Sequence, residues 1–292
     1  MTAKITLKAL LQNENECVMS PCVYDCASAR AVELVGFKTM LLSGGEVGES
    51  MTGMLEATLS MDELLWATTR ICDYSPLPMT VDINDGGGTP LSVHRTCLRM
   101  AKAGAMGVQL DDGHGGSLTR EAYLSNIKAA VSALQGSPCI LVARTDVSPK
   151  TDLEEAIARV SAAVDLGADM TMVVGLNNFE DAKTVGTRVP GWKVYPDQNS
   201  KNGIPEVVNE EIYPYGFRMI SFHYLLKVAM AAMLEAGAQN FKNKNNVYSN
   251  EIAFPNGYKG HSALPMMNMQ QWFDLEGKFT GVTRIFKVPG ED

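Results

Sequence analysis

Eight short apolar runs alternate along this chain with stretches of helical periodicity, and that alternation constrains the fold more than any other feature. The runs are Val18 to Tyr24, Thr39 to Leu42, Leu77 to Val81, Met106 to Leu110, Cys139 to Val142, Met170 to Val174, Trp192 to Tyr195 and Met219 to Phe222. They read as strands. Between them the spacing predicts amphipathic helices over Ala27 to Val35, Met61 to Cys72, Ser92 to Ala103, Thr119 to Leu134, Leu153 to Asp165 and Asn178 to Val185. Three of these helices exit through Gly36, Gly104 or Gly167, where a chain leaving a helix turns left-handed before the next strand. Eight such units predict an α/β (β/α)8 TIM barrel. A length of 292 residues suits one domain of that kind, and no proline- or serine-rich linker interrupts it. We therefore read 1–292 as a single barrel domain, with a core over 18–237 and a helical extension over 238–292. A helix over Tyr224 to Glu235, a polar stretch from Gln239 to Asn250 and a segment over Met269 to Glu276 exceed a minimal barrel. Extra helices of this kind commonly pack on a second subunit, so a homo-oligomer is expected.

The strand ends carry the chemistry. Val81-Asp82-Ile83-Asn84-Asp85-Gly86-Gly87-Gly88 sets carboxylate and amide oxygens against a flexible turn, Asp111-Asp112 follows Met106 to Leu110, and Ala143-Arg144-Thr145-Asp146 follows Cys139 to Val142. In a parallel barrel all carboxyl ends of the strands converge on one face, so these groups belong to one pocket. Oxygen donors of this type suit a hard divalent cation, which points to a metal enzyme acting on a small carboxylic acid. The glycine run lacks the lysine of a P-loop and serves the turn. A net charge of −8 and a pI near 5.1 argue against nucleic acid, which needs clustered Lys and Arg. An anionic substrate stays open, because a local arginine, backbone N–H groups and a metal can bind one. Six scattered cysteines have no zinc spacing and read as buried thiols. No apolar run is long enough for a bilayer, and Met1 to Glu16 has no hydrophobic signal core, so a cytoplasmic protein with no membrane partner is expected.

Tyr24-Asp25-x-x-Ser28-Ala29, Leu42-Ser43-Gly44-Gly45, Val81-Asp82-Ile83-Asn84, His94-Arg95-Thr96, Ala103-Gly104-Ala105-Met106-Gly107, Ala143-Arg144-Thr145-Asp146 and Gly167-Ala168-Asp169 are collinear from Val18 to Gly237. Together they resemble the isocitrate lyase and phosphoenolpyruvate mutase superfamily. The resemblance implies a barrel with a swapped last helix, a tetramer, magnesium (with manganese as an alternative) and reactions through the enolate of a 2-oxo acid. It implies substrate contacts from Tyr24, Ser43, Gly44, Gly45 and Arg144, with Ser43 and Gly44 donating to a carboxylate from a tight turn. Asp82 matches a direct magnesium ligand. Asn84 stands where a second aspartate is usual, Asp85 is a candidate to compensate, and Asp111 stands where glutamate is usual. Asp112 and Arg144 match catalytic positions, and Glu56 lies near a loop carboxylate.

The departures redirect the function. Gly113-His114-Gly115-Gly116-Ser117 replaces the Lys-Arg-Cys-Gly loop of the lyases, so cleavage assisted by that thiol is not expected. Val174 falls where the family has glutamate or histidine, and Tyr195, Pro196 and Asp197 fall near a usual asparagine. His114, flanked by glycines beside Asp111, becomes the acid–base candidate, ahead of His223, which reads first as a satisfied core histidine. His94 reads as structural. The leading expectation is a magnesium-dependent lyase or decarboxylase that breaks a carbon–carbon bond of a 2-hydroxy or 2-oxo acid, with His114 or Asp197 handling a proton. The alternatives are a carbon–phosphorus mutase or hydrolase and a noncatalytic carboxylate-binding homologue.

Overall fold

The computed structural model describes residues 5–54, 58–255, 257–259, 262–267 and 269–285. They fall into two compact units, Met1–Leu226 and Lys227–Asp292. The first unit opens with α1 (Leu7–Asn13) and then alternates β1 (Val18–Val23), α2 (Cys26–Val35), β2 (Met40–Leu42), α3 (Gly44–Thr52) and α4 (Met61–Tyr74). It continues through β3 (Met79–Asp82), α5 (Pro90–Lys102), β4 (Gly107–Leu110), α6 (Arg120–Leu134), β5 (Ile140–Thr145) and α7 (Pro149–Asp165). Next come β6 (Met170–Val173), α8 (Phe179–Arg188), β7 (Trp192–Tyr195), a small hairpin of β8 (Ser200–Lys201) and β9 (Ile204–Pro205), and α9 (Asn209–Ile212). The last barrel strand, β10 (Phe217–Phe222), leads into α10 (Leu225–Asn243).

Eight strands close a parallel barrel in the order β1-β10-β7-β6-β5-β4-β3-β2, and each expected strand is present. The helix exits at Gly36, Gly104 and Gly167 have φ of 100°, 101° and 109°, the left-handed turn that glycine adopts without a Cβ penalty. Helix starts are capped by side chains: Thr6, Asp25, Ser43, Ser60, Thr89, Thr119 and Asn178 each accept a first-turn N–H. The Asp25-x-x-Ser28 pair is a reciprocal capping box for α2, which gives that motif a structural job.

Strand side chains alternate between two faces, and the packing clusters sort them. Val18, Ile140, Val142, Met170, Met172, Val194 and Met219 pack together with Leu7, Leu10 and Leu11 of α1. These are the inward residues of the barrel's lower half, with α1 laid across its N-terminal end. Val23, Leu42, Val81, Val108, Leu110, Leu141 and Ala143 pack instead with Val32, Leu64, Ile71, Val93 and Ile127 of the surrounding helices. The outward face of β6, β7 and β10 does the same against α7 and α8. Counting by two from the inward set then puts Asp82, Gln109, Asp111 and Arg144 inside the barrel at its C-terminal end.

The second unit holds the remainder of α10, α11 (Val247–Glu251), a short 3-10 turn at Leu264–Met266 and α12 (Met269–Thr280). It carries large exposed apolar side chains, with Phe241 88% and Phe279 82% exposed and Met233, Leu234, Trp272 and Ile285 also open. No helix of the described residues is long and apolar enough to cross a membrane.

Candidate active site

The site is built from strand ends. Asp82 closes β3, and its Oδ2 accepts hydrogen bonds from Gln109 Nε2 (2.7 Å) and Arg144 Nη1 (2.6 Å), while Oδ1 accepts from the Asn84 backbone N–H (3.1 Å). Arg144 is on β5, which runs three residues beyond the predicted end, so the strand itself aims the guanidinium. Its other edge makes a two-pronged contact with Asp146, Nε to Oδ1 at 2.7 Å and Nη2 to Oδ2 at 3.0 Å. Two carboxylates thus fix one planar cation, a geometry lysine cannot reproduce. Asn84 takes a left-handed φ of 50°, and its carbonyl accepts the Asp111 N–H at 2.9 Å. That turn ties the end of β3 to the end of β4.

Asp111 is 5% exposed and Asp82 6%. The Asp111 carboxyl accepts the Gly113 N–H at 2.8 Å. Burial, reinforced by the charge of Asp82, pushes it up to about 7, with Arg144 and the Gly113 amide pulling the other way. A cavity of about 780 Å³ opens on Gly45, Asn84, Asp85, Asp111, His114 and Arg144. Among the described residues, no three His, Cys, Asp or Glu side chains form a closed metal cage. What the cavity offers is the carboxylates of Asp85 and Asp111 and the amide of Asn84, with the Asp82 carboxylate adjoining through Arg144 and the Asn84 N–H, all oxygen donors. That set fits magnesium, which uses one or two carboxylates and keeps waters and substrate for its remaining positions. A divalent cation there would also offset the burial and the Asp82 charge that together make Asp111 hold its proton.

Ser43 is the N-cap of α3, its Oγ accepting the Glu46 N–H at 3.2 Å. The expected tight turn at Ser43-Gly44-Gly45 is therefore the first turn of a nine-residue helix. The correction strengthens the site, because first-turn N–H groups have no intrahelical partner and the helix dipole favours an anion there. Gly45 lines the cavity. On the opposite rim, His223 places Nδ1 2.5 Å from Asp197 Oδ1 and Nε2 3.2 Å from Ser43 Oγ. His223 is half-open rather than a core histidine, its side chain 43% exposed.

Residues 7–241 match the sequence profile described as phosphoenolpyruvate phosphomutase. The chain belongs to the phosphoenolpyruvate phosphomutase family. Within that family it is 30% identical to the petal death protein of Dianthus caryophyllus, over 96% of this chain and 90% of that one. It is 25% identical to the 2,3-dimethylmalate lyase of Eubacterium barkeri, over 80% of this chain and 85% of that one. A crystal structure of 2,3-dimethylmalate lyase superposes with a TM-score of 0.83 at 26% identity, covering 94% of this chain and 97% of the other. That of oxaloacetate acetylhydrolase does so with a TM-score of 0.83 at 27% identity, covering 94% and 98%.

In this phosphoenolpyruvate phosphomutase family member the structure gathers Asn84, Asp85, Asp111, Arg144 and His114 around one cavity, with Asp82 behind Arg144 as its hydrogen-bond partner and Ser43, Gly44 and Gly45 at the helix start beside it. Asp112 is the correction. One residue after an inward aspartate it must point outward, and it is fully buried, accepting from Thr145 Oγ1 (2.5 Å), the Asp146 N–H (2.8 Å) and Arg159 Nη1 (2.9 Å). It braces the β4–β5–α7 corner and does not line the cavity. Tyr24 is half-buried, packs against the outer core and does not line the cavity. His114 is exposed on a glycine-rich loop at the rim. Asp146 braces Arg144 through both of its carboxylate oxygens. Glu56 lies outside the described residues. Missed in the sequence was the contact of His223 with Ser43. The alternation Met219, Ser221, His223 carried the signal, since it puts His223 on the inward face.

Proposed function

We propose that this chain is a magnesium-dependent lyase that breaks a carbon–carbon bond of a small 2-oxo or 2-hydroxy carboxylic acid through an enolate. The observation that carries this reading is the convergence of Asp111 and Arg144, with Asp82 bonded to that arginine, at one cavity beside a helix N-terminus. Relatives named 2-methylisocitrate lyase, 2,3-dimethylmalate lyase and oxaloacetate decarboxylase support it. Asp82, Asp111 and Asn84, with Asp85 alongside, would hold the cation. When bound, magnesium supplies a double positive charge that withdraws electron density from the substrate oxygen and lowers the cost of forming an enolate. Ser43 Oγ–H and the first-turn amides of α3 take the substrate carboxylate. Arg144, held rigid by Asp82 and Asp146, faces the oxygen on which negative charge develops. In decarboxylation the electrons of the breaking bond pass to the enolate, carbon dioxide leaves, and one proton is delivered to carbon by His114 on the rim. No thiol is needed.

The carbon–phosphorus alternative is supported by a relative in Arabidopsis thaliana named carboxyvinyl-carboxyphosphonate phosphorylmutase, 28% identical over 93% of this chain. Against it, Arg144 is the one permanently charged cation among the described residues that line the cavity, beside Glu49, Asp85, Asp111 and Asp146. A phosphonate asks for more positive charge than that. The test is magnesium-dependent turnover of a panel of 2-oxo and 2-hydroxy di- and tricarboxylates together with phosphonopyruvate, with products identified by mass spectrometry. A keto acid formed from a carboxylate supports the lyase. Inorganic phosphate from phosphonopyruvate, with no carboxylate consumed, overturns it.

A further inference from the structure

Across the barrel mouth from Arg144, a polar chain leads from Ser43 after β2 to two residues that the proposed reaction leaves unused, His223 after β10 and Asp197 after β7. Asp197 is held in place by its backbone. It adopts a left-handed φ of 36°, its N–H donates to Ser221 Oγ at 3.4 Å, and its carbonyl accepts from Asn199 Nδ2 at 2.6 Å. The neighbouring Gln198 N–H donates to the Ser221 carbonyl at 3.1 Å, fastening the β7 exit to β10. So presented, the carboxylate fixes the ring of His223 through Nδ1 and leaves Nε2 facing Ser43 Oγ.

A hydroxyl has one proton to donate and two acceptor positions. One acceptor position of Ser43 is taken by the Glu46 N–H that caps α3. If the imidazole is neutral, with its proton on Nδ1 toward Asp197, Nε2 is an acceptor and draws the Ser43 proton to itself. If the ring is an imidazolium, Nε2–H donates to the second acceptor position, and the Ser43 proton is free to point into the cavity. We propose that Asp197 and His223 are positioning residues that turn the Ser43 hydroxyl into a donor for the substrate carboxylate, so that carboxylate affinity follows the charge on His223. This rests on the carboxylate-pocket reading above.

The surroundings favour the charged ring. Burial works against the cation, but the Asp197 hydrogen bond and charge, with Glu46 on α3 and Asp82 on β3, outweigh it and hold the proton above the ordinary histidine value. With magnesium on Asp82, Asp197 and Glu46 remain. Glu46 is itself shifted upward, by burial first, with His223 pulling it back. The same three residue types make a nucleophilic triad in hydrolases. Here Ser43 is 6% exposed and its oxygen is already accepting the helix cap, which leaves it poorly placed for attack.

Oxalate in the presence of magnesium is the probe, titrated calorimetrically from pH 6 to 9 against the intact chain, Asp197→Asn, His223→Gln and Ser43→Ala, with the His223 ring followed by NMR. In the wild type, affinity falls about tenfold, the worth of one charge-assisted hydrogen bond, with the midpoint at which the His223 ring titrates. Asp197→Asn moves both midpoints down together. His223→Gln, whose amide donates at every pH, flattens the profile while keeping affinity, and Ser43→Ala is weak and flat. On a turned-over substrate the same variants move KM more than kcat. A wild-type profile unchanged by Asp197→Asn and His223→Gln overturns the proposal, as does an effect confined to kcat or a fluorophosphonate adduct on Ser43. Absence of any oxalate binding by the folded wild type, at every pH, overturns the carboxylate pocket itself, a different failure.

Discussion

At the scale of single residues, the site's behaviour without metal is dominated by Asp111. Folded, it keeps its proton to about pH 7, against an ordinary value of 3.8. Its contribution to stability is therefore fully present below about 3.8 and is lost as pH rises through about 7. At about 1.4 kcal/mol per pH unit, the loss is on the order of 4 kcal/mol. The melting temperature of the metal-free protein should fall across this range, Asp111→Asn should flatten the fall, and magnesium should restore stability at pH 8 to the wild type alone. Parallel melting profiles for the wild type and Asp111→Asn would refute this. Arg144 makes the second case. Arg144→Lys keeps the charge but gives up the fork that spans Asp82 and Asp146, so kcat/KM should drop by about 100-fold or more while the protein stays folded. Activity within a few fold of wild type would place the stabilisation of the developing charge elsewhere.

Elements decide which of these residues can meet. β5 continues to Thr145, so Arg144 is pinned by parallel pairing with β6, Arg144 opposite Met172, rather than carried on a loop. α3 turns Ser43-Gly44-Gly45 from a connection into a helix start, a place whose unpaired first-turn N–H groups suit an anion. The loop after β4 is held close to the barrel at Gly116, where a Cβ would lie 2.5 Å from Val147 Cγ2 at a φ of 71°. The most instructive element-scale contact is Asp112 with Arg159 of α7, a buried ion pair backed by two further donors to Asp112. Removing one partner of such a pair leaves a stranded charge, so Arg159→Met should cost roughly 3–5 kcal/mol in urea unfolding. Where the variant is folded, its KM and magnesium affinity should stay near wild type. A selective loss of kcat at full stability would return Asp112 to the chemistry.

At the scale of the molecule, the unit from Lys227 to Asp292 leaves many of its large apolar side chains in water, Phe241 and Phe279 most of all. Such exposure is costly at roughly 25 cal/mol for each Å² of apolar surface. We propose that a second copy of the chain covers them in a homo-oligomer, a tetramer with exchanged last helices being the arrangement the family resemblance implies. Light scattering coupled to size exclusion should give a mass that is a multiple of 31.6 kDa, and Phe241→Glu with Phe279→Glu should reduce it. A monomer at micromolar concentration would sink the proposal.

The sequence alone determined the barrel, since eight apolar runs, their helical spacers and their glycine exits are local signals, each imposed by backbone sterics and side-chain periodicity. It also determined that Asp82, Asp111 and Arg144 share a face, because the carboxyl ends of parallel strands have nowhere else to go. It did not separate Asp111 from Asp112, although they differ only in parity; which of the two faces the cavity depends on where each strand begins in the closed sheet, a property of the pairing between strands. Nor did it show α3, whose glycines are poor helix formers and whose helix depends on the Ser43 cap and the packing of Val47. The contact of His223 with both Ser43 and Asp197 joins residues 180 and 26 positions apart. Only barrel closure brings them within hydrogen-bonding distance, so that arrangement was decided by the tertiary structure.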